Sequence, residues 1–98
     1  MSDITVLELK YNIENGLGNA AVIDVRGGGD YKKGHIPGAI NIPIDEIVSR
    51  ITEISEFGVV YVHCGAGTRS KRACGILGEY GVKAVNVVGG YRAWESVK

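Results

Sequence analysis

The chain predicts an α/β domain with a largely parallel sheet covered on both faces, and three observations carry that expectation. Short apolar runs at 21–25, 59–62 and 82–88 alternate with segments whose apolar residues recur at helical spacing. Glycines fall at the junctions between them, as at Gly16, Gly58 and Gly81. Finally, 98 residues that are 45% hydrophobic suffice for one core and are too few for two.

Each element has its own local reason. Thr5 followed by Glu8 forms a possible capping box, and Val6, Leu9 and Ile13 then share a helical face until Asn15-Gly16 ends it. Ala21 to Val25 reads as a buried strand. A glycine-rich loop at 26–29 and a short helical turn near 30–33 follow it. Ala39 to Ile42 forms a second short strand. Ile44, Ile47, Val48, Ile51 and Ile54 make a helical stripe that Phe57-Gly58 interrupts. After the strand at 59–62, a helix is expected over 70–80, with Ala73, Leu77 and Tyr80 inward and Gly81 closing it. A last strand over 82–88 leads to a short terminal helix at 91–95, where Trp94 supplies a large apolar surface. In such a fold the loops at the carboxyl ends of the strands form the functional edge.

Composition narrows the function. Eleven basic and eleven acidic residues cancel, and neither sign forms a block, which argues against nucleic acid or an anionic membrane as partner. Two cysteines, Cys64 and Cys74, make no disulfide framework, and no paired-cysteine or histidine-rich cluster suggests a metal. A reducing, cytoplasmic setting is the expectation. The N-terminus lacks a basic segment followed by an apolar stretch, and no run approaches membrane-spanning length.

The chemistry concentrates in Cys64-Gly65-Ala66-Gly67-Thr68-Arg69-Ser70, between an apolar strand and a helix. That position lets backbone N–H groups converge on a thiolate, the small residues let the chain curl around it, and Arg69 adds a fixed charge. The glycines at 27–29 lack the spacing and the lysine of a phosphate loop and read as a turn.

Asp24-Val25-Arg26, Gly34 to Pro43, Val60 to Ser70, and Gly89 to Trp94 together resemble, in order, the successive signatures of a single-domain rhodanese, a sulfurtransferase. The resemblance runs from about residue 4 to residue 95 and implies a small doubly wound fold. It also implies that Cys64 takes sulfane sulfur from thiosulfate or a related anionic donor as a persulfide. The sulfur then passes to cyanide, a small thiol or a protein thiol, without a cofactor or metal. Gly65, Ala66, Gly67, Thr68, Arg69 and Ser70 would cradle the sulfur. The six residues from Cys64 to Arg69 match the family's short loop rather than the seven-residue loop of related phosphatases. No basic side chain occupies 65–67, so donor preference stays open.

Asp24, Arg26 and His35 support this site, the first two as a brace of the fold or in chemistry. His35 is a hydrogen-bonded turn residue or the partner of the cysteine. His63 should point away from Cys64 by strand alternation. Cys74 is a small buried hydrophobe or a resolving thiol, and Tyr31, Tyr91 and Trp94 rim the pocket or pack the core. The competing class is a non-catalytic rhodanese-like binding or regulatory module; retention of the thiol and a complete loop favour the enzyme.

Overall fold

The computed structural model describes residues 2–66 and 68–98. Five strands, β1 (Ser2–Ile4), β2 (Ala20–Asp24), β3 (Ile40–Asn41), β4 (Val59–His63) and β5 (Ala84–Val87), form one sheet in the order β1-β5-β4-β2-β3. Every pairing is parallel. Parallel neighbours require crossover connections, which contain α1 (Val6–Glu14), α2 (Gly28–Lys33), α3 (Ile51–Ile54) and α4 (Thr68–Glu79), while α5 (Gly90–Glu95) follows the last strand. The order reverses on either side of β4, so the carboxyl end of the central strand, where Cys64 follows His63, lies at the crevice such sheets offer to ligands.

Two apolar clusters cover the sheet. Strand alternation sends Ile23, Val60, Val62 and Cys64 to one side, where they pack with Ala73, Cys74 and Leu77 of α4 and with Ile47 and Ile54. Val22 and Val87 pack on the other side, with Val6 and Leu9 of α1 and Trp94 of α5. Trp94 is therefore a core residue.

The helix ends follow their sequence signals. Thr5 Oγ1 accepts from the Glu8 N–H at 3.1 Å while the Glu8 carboxylate accepts from the Thr5 N–H at 2.9 Å, a complete capping box. At the end of α4, Gly81 adopts φ +79°, which lets the Val82 N–H reach Leu77 O at 3.1 Å and the Gly81 N–H reach Gly78 O at 3.0 Å. This is a Schellman closure, with Leu77 and Val82 in the same apolar cluster.

Four local expectations differ from the structure. The stripe at 44–54 is two 3₁₀ turns, Ile44–Glu46 and Val48–Arg50, leading into the single α turn of α3. The Ile44 N–H is still bonded to Val25 O, and the bonds that follow, Ile47 to Ile44 and Arg50 to Ile47, span three residues. The 3₁₀ turn aligns Ile44 and Ile47, three apart, toward the core, where Ile51 and Ile54 of α3 join them, while Val48 is left exposed. Tyr80 is also exposed, because the tight closure at Gly81 ends α4 before Tyr80 turns inward. The glycine loop is shorter than expected, with Gly28 and Gly29 already in the first turn of α2. The N-terminal edge strand β1 carries only one apolar residue, Ile4, which is too little periodicity to announce a strand. No helix among the described residues is long and apolar enough to cross a membrane.

Replacing Thr5 with Ala removes the acceptor of the α1 cap. Stability in urea denaturation should fall by about 1 kcal/mol.

Candidate active site

Strand alternation divides the two residues at the end of β4. Cys64 continues the α4-facing row of Val60 and Val62, which brings its sulfur to 3.6 Å from the Ser70 hydroxyl in the first turn of α4. The thiol is 2% exposed. Ser70 in turn donates to Asn86 Oδ1 of β5 at 2.6 Å, and both residues are buried. Because α4 runs for 12 residues, the positive end of its dipole and the N–H groups of its first turn, which have no partner within the helix, lie where the sulfur sits.

His63 takes the opposite face. It is fully buried, its Nδ1 is 3.2 Å from the Cys64 carbonyl, and its Nε2 lies 3.8 Å from Asp24 Oδ2, beyond hydrogen-bonding distance. Burial pushes its pKa below the ordinary 6.5, against the opposing attraction of Asp24, so the ring is neutral at physiological pH. Its orientation away from the sulfur takes it out of consideration as a base.

Asp24 and Arg26 form a buried brace at the end of β2. The Asp24 carboxylate accepts from the Arg26 N–H at 3.0 Å and from the guanidinium Nη2 at 2.7 Å, and the same nitrogen reaches Gly34 O at 2.7 Å. The hydrogen bonds to Asp24 raise the guanidinium pKa further. Arg26 also lies 4.4 Å over the Tyr91 ring. A side chain on Gly34 would meet the Tyr91 hydroxyl at 2.5 Å, so any other residue there would push the Tyr91 ring aside. His35 is turned elsewhere: it stacks on Tyr31 with centroids 3.8 Å apart, and its Nδ1 is 2.8 Å from Tyr31 O.

The amino end of α5 holds the cysteine loop from the other side. The Tyr91 N–H donates to Cys64 O at 2.9 Å and the Arg92 N–H to Gly65 O at 3.0 Å. This approach depends on Gly90, which has φ +57°; a Cβ there would collide with Cys64 O and stand 2.9 Å from Gly65 O.

A cleft of about 450 Å³ opens beside the loop, lined by Gly65, Ala66 and Arg69, by Tyr91, Arg92 and Glu95 of α5, and by Arg26 and Asp30. Ala66 also borders a second cleft of about 300 Å³ with Thr68, Lys71 and Asn86. Arg69 is exposed, and its Nη2 lies 3.8 Å from where a side chain on Gly65 would begin. The structure thus gathers Cys64, Gly65, Ala66, Thr68, Arg69 and Ser70 around one loop, with Asp24 and Arg26 behind it and His35 apart. Gly67 lies outside the described residues. Of the aromatic candidates, Tyr91 lines the cleft while Tyr31 packs against the core. Asn86 was not singled out from the sequence, where an isolated asparagine in an apolar strand carries no recognisable motif.

The profile of the rhodanese-like domain matches residues 5–97. The chain belongs to the rhodanese-like domain family. The crystal structure of a rhodanese-like domain protein from Staphylococcus aureus superposes with a TM-score of 0.89 at 34% identity, covering 96% of this chain and 91% of that one. A putative sulfur carrier protein of Bacillus subtilis is 40% identical over 74 residues, which make up 74% of this chain and 40% of that protein. A thiosulfate sulfurtransferase of Escherichia coli is 40% identical over 72 residues, or 71% of this chain and 69% of the relative. This rhodanese-like chain therefore corresponds to less than half of the Bacillus protein's length.

Cys74, the other thiol, sits in the apolar cluster of α4, and burial pushes its pKa up to about 11. A thiol so resistant to ionisation is a poor resolving nucleophile.

Two outcomes follow from this geometry. Gly90→Ala combines a positive φ with a backbone collision and should cost about 2–3 kcal/mol in urea denaturation. For His63, the folded pKa lies below the unfolded one, so the unfolded chain binds a proton that the folded chain refuses. The stability it contributes is complete above pH 6.5 and declines as pH falls toward the folded value, by at most about 1.4 kcal/mol per pH unit. Urea midpoints of wild type and His63→Gln compared across this range should show a flatter dependence in the variant.

Proposed function

We propose that this rhodanese-like domain, taken as one unit over residues 1–98, is a sulfurtransferase that works through a persulfide on Cys64. One observation carries the reading: the Cys64 sulfur lies buried at the amino end of α4, 3.6 Å from Ser70, where an anionic sulfur is favoured over a neutral one.

The thiolate attacks the outer sulfur of thiosulfate or a related anionic donor. A new S–S bond forms as the donor's own breaks, and the remainder leaves with the electron pair, as sulfite when the donor is thiosulfate. Cyanide or a thiol then attacks the terminal sulfur and regenerates the Cys64 thiolate. Covalent storage thus divides one transfer into two displacements.

The segment from Gly65 through Ser70, Gly67 included, is the cradle for the terminal sulfur, its N–H groups countering the negative charge. Arg69 is exposed at the cleft and serves as the donor's counter-charge, since the first two carbonyls of the loop already accept from α5. Asp24 and Arg26 act at one remove by fixing Tyr91 and the turn at Gly34. His35 supports the same turn through Tyr31. The related sulfurtransferases, one of them named a thiosulfate sulfurtransferase, support thiosulfate as the donor to try first.

Intact-protein mass after incubation with thiosulfate should rise by about one sulfur atom in wild type, return to the starting value on adding cyanide, and stay unchanged in Cys64→Ser. If wild type gains no sulfur, thiosulfate is eliminated as donor. If persulfide donors also fail, the domain is a binding module.

A further inference from the structure

We propose that Asn86 is a positioning residue for the Cys64 sulfur: acting through the Ser70 hydroxyl, its side-chain amide reverses a buried hydrogen-bond chain when the sulfur passes from thiol to anion. The proposal gives the anionic sulfur of the previous subsection a means of support and rests on that reading only for the purpose it serves.

In the arrangement observed, the Cys64 thiol donates to Ser70 Oγ at 3.6 Å, and the Ser70 hydroxyl donates to Asn86 Oδ1 at 2.6 Å. All three residues are at most 2% exposed. The chain therefore points from the sulfur toward the asparagine, a direction that suits a neutral thiol. It leaves Asn86 Nδ2 buried without a hydrogen-bond partner among the described residues. An orphaned amide donor of this kind is costly, and its persistence beside a reactive sulfur calls for a physical reason.

An anionic sulfur supplies the reason, because it can accept hydrogen bonds and cannot donate them. When Cys64 loses its proton to water in the cleft, the Ser70 hydroxyl can turn toward the sulfur without breaking its O–H bond. That turn leaves Ser70 Oγ facing Asn86 Oδ1 at 2.6 Å, oxygen against oxygen with no proton between. Rotation of the Asn86 amide by half a turn replaces Oδ1 with Nδ2, which donates to Ser70 and ends its isolation. A side chain with a donor and an acceptor at equivalent positions can serve both directions. The thiol form thus leaves an amide N–H unpaired and the anionic form an amide oxygen, the less costly orphan of the two, which biases Cys64 toward ionisation.

The position of Asn86 is fixed independently of this role. It pairs with Asp3 of β1 and Val62 of β4 in the sheet, so its backbone is held on both sides. The charged groups nearby are Asp3 and Lys71, which border the smaller cleft with Asn86. Beyond the loop, Arg69 and Arg92 oppose Asp30 and Glu95, and His63 on the other face of β4 is neutral. None of these changes in the variants below.

The test is the pH dependence of iodoacetamide labelling at Cys64, mapped by mass spectrometry, with no sulfur donor present. Asn86→Leu preserves shape but can neither donate nor accept, and should move the midpoint of the profile upward by about one pH unit, a tenfold loss of thiolate at neutral pH. In a Ser70→Ala background the same substitution should produce no further shift, because the relay is already cut. An unchanged midpoint in folded Asn86→Leu, or an equal shift with and without Ser70, overturns the proposal. Should Asn86→Leu fail to fold, Asn86→Ala gives the same two comparisons. Because no donor is used, the titration separates the relay from the sulfurtransferase reading: a shifted midpoint in Asn86→Leu with no sulfur uptake by wild type counts against the reading alone.

Discussion

The close contact at Gly90 sets the geometry on which the cysteine loop depends. A strand that ends in a small-residue loop has carbonyls to satisfy and little side-chain mass with which to hold itself. Here the first two loop carbonyls, those of Cys64 and Gly65, are taken by N–H groups at the start of α5. That helix can reach them only because residue 90 has no Cβ and accepts a positive φ. The same helix places Tyr91 beside Arg26 and buries Trp94 against α1 and the sheet. One backbone contact therefore ties the loop to a core on the face opposite its own cysteine.

The period-two alternation of β4 then separates chemistry from support. Cys64 joins the α4 side and meets Ser70, while His63 joins the α5 side and meets Asp24. A histidine adjacent in sequence to a cysteine invites a catalytic pair, yet neighbouring strand residues face opposite ways. The thiol is left to the amino end of α4, which stabilises an anion without accepting a proton from it. Burial of His63, whose Nε2 has no hydrogen-bond partner among the described residues, keeps the imidazole neutral, so the site gains no titrating charge from that side.

Much of this was legible from spacing. The capping box of Thr5 and Glu8, the Schellman glycine at 81 and the alternation of strands and helices from α1 onward follow from short-range signals, and the structure shows each of them. The motifs around Asp24, Gly34, Cys64 and Gly89 pointed to the family that the profile match shows. What escaped was set by distant partners. Ile44 is held by Val25 across the chain, which turns an apparent helix into 3₁₀ turns and exposes Val48. Strand β1 exists because β5 offers it an edge rather than because its own residues demand one. Asn86 acquires its neighbour Ser70 only when β5 packs beside α4, a proximity that no local pattern contains.

The buried carboxylate nearest the loop is compensated within the fold. Asp24 is fully buried near the end of the adjacent strand, and alone it would oppose a thiolate through a medium that screens poorly. Arg26 closes on it through both backbone and guanidinium donors, which spends the carboxylate's field locally. Arg69, by contrast, stands exposed over the loop and is available to an incoming anion. The two arginines thus divide the work. One neutralises the charge the fold has buried, and in the proposed cycle the other faces the anionic donor.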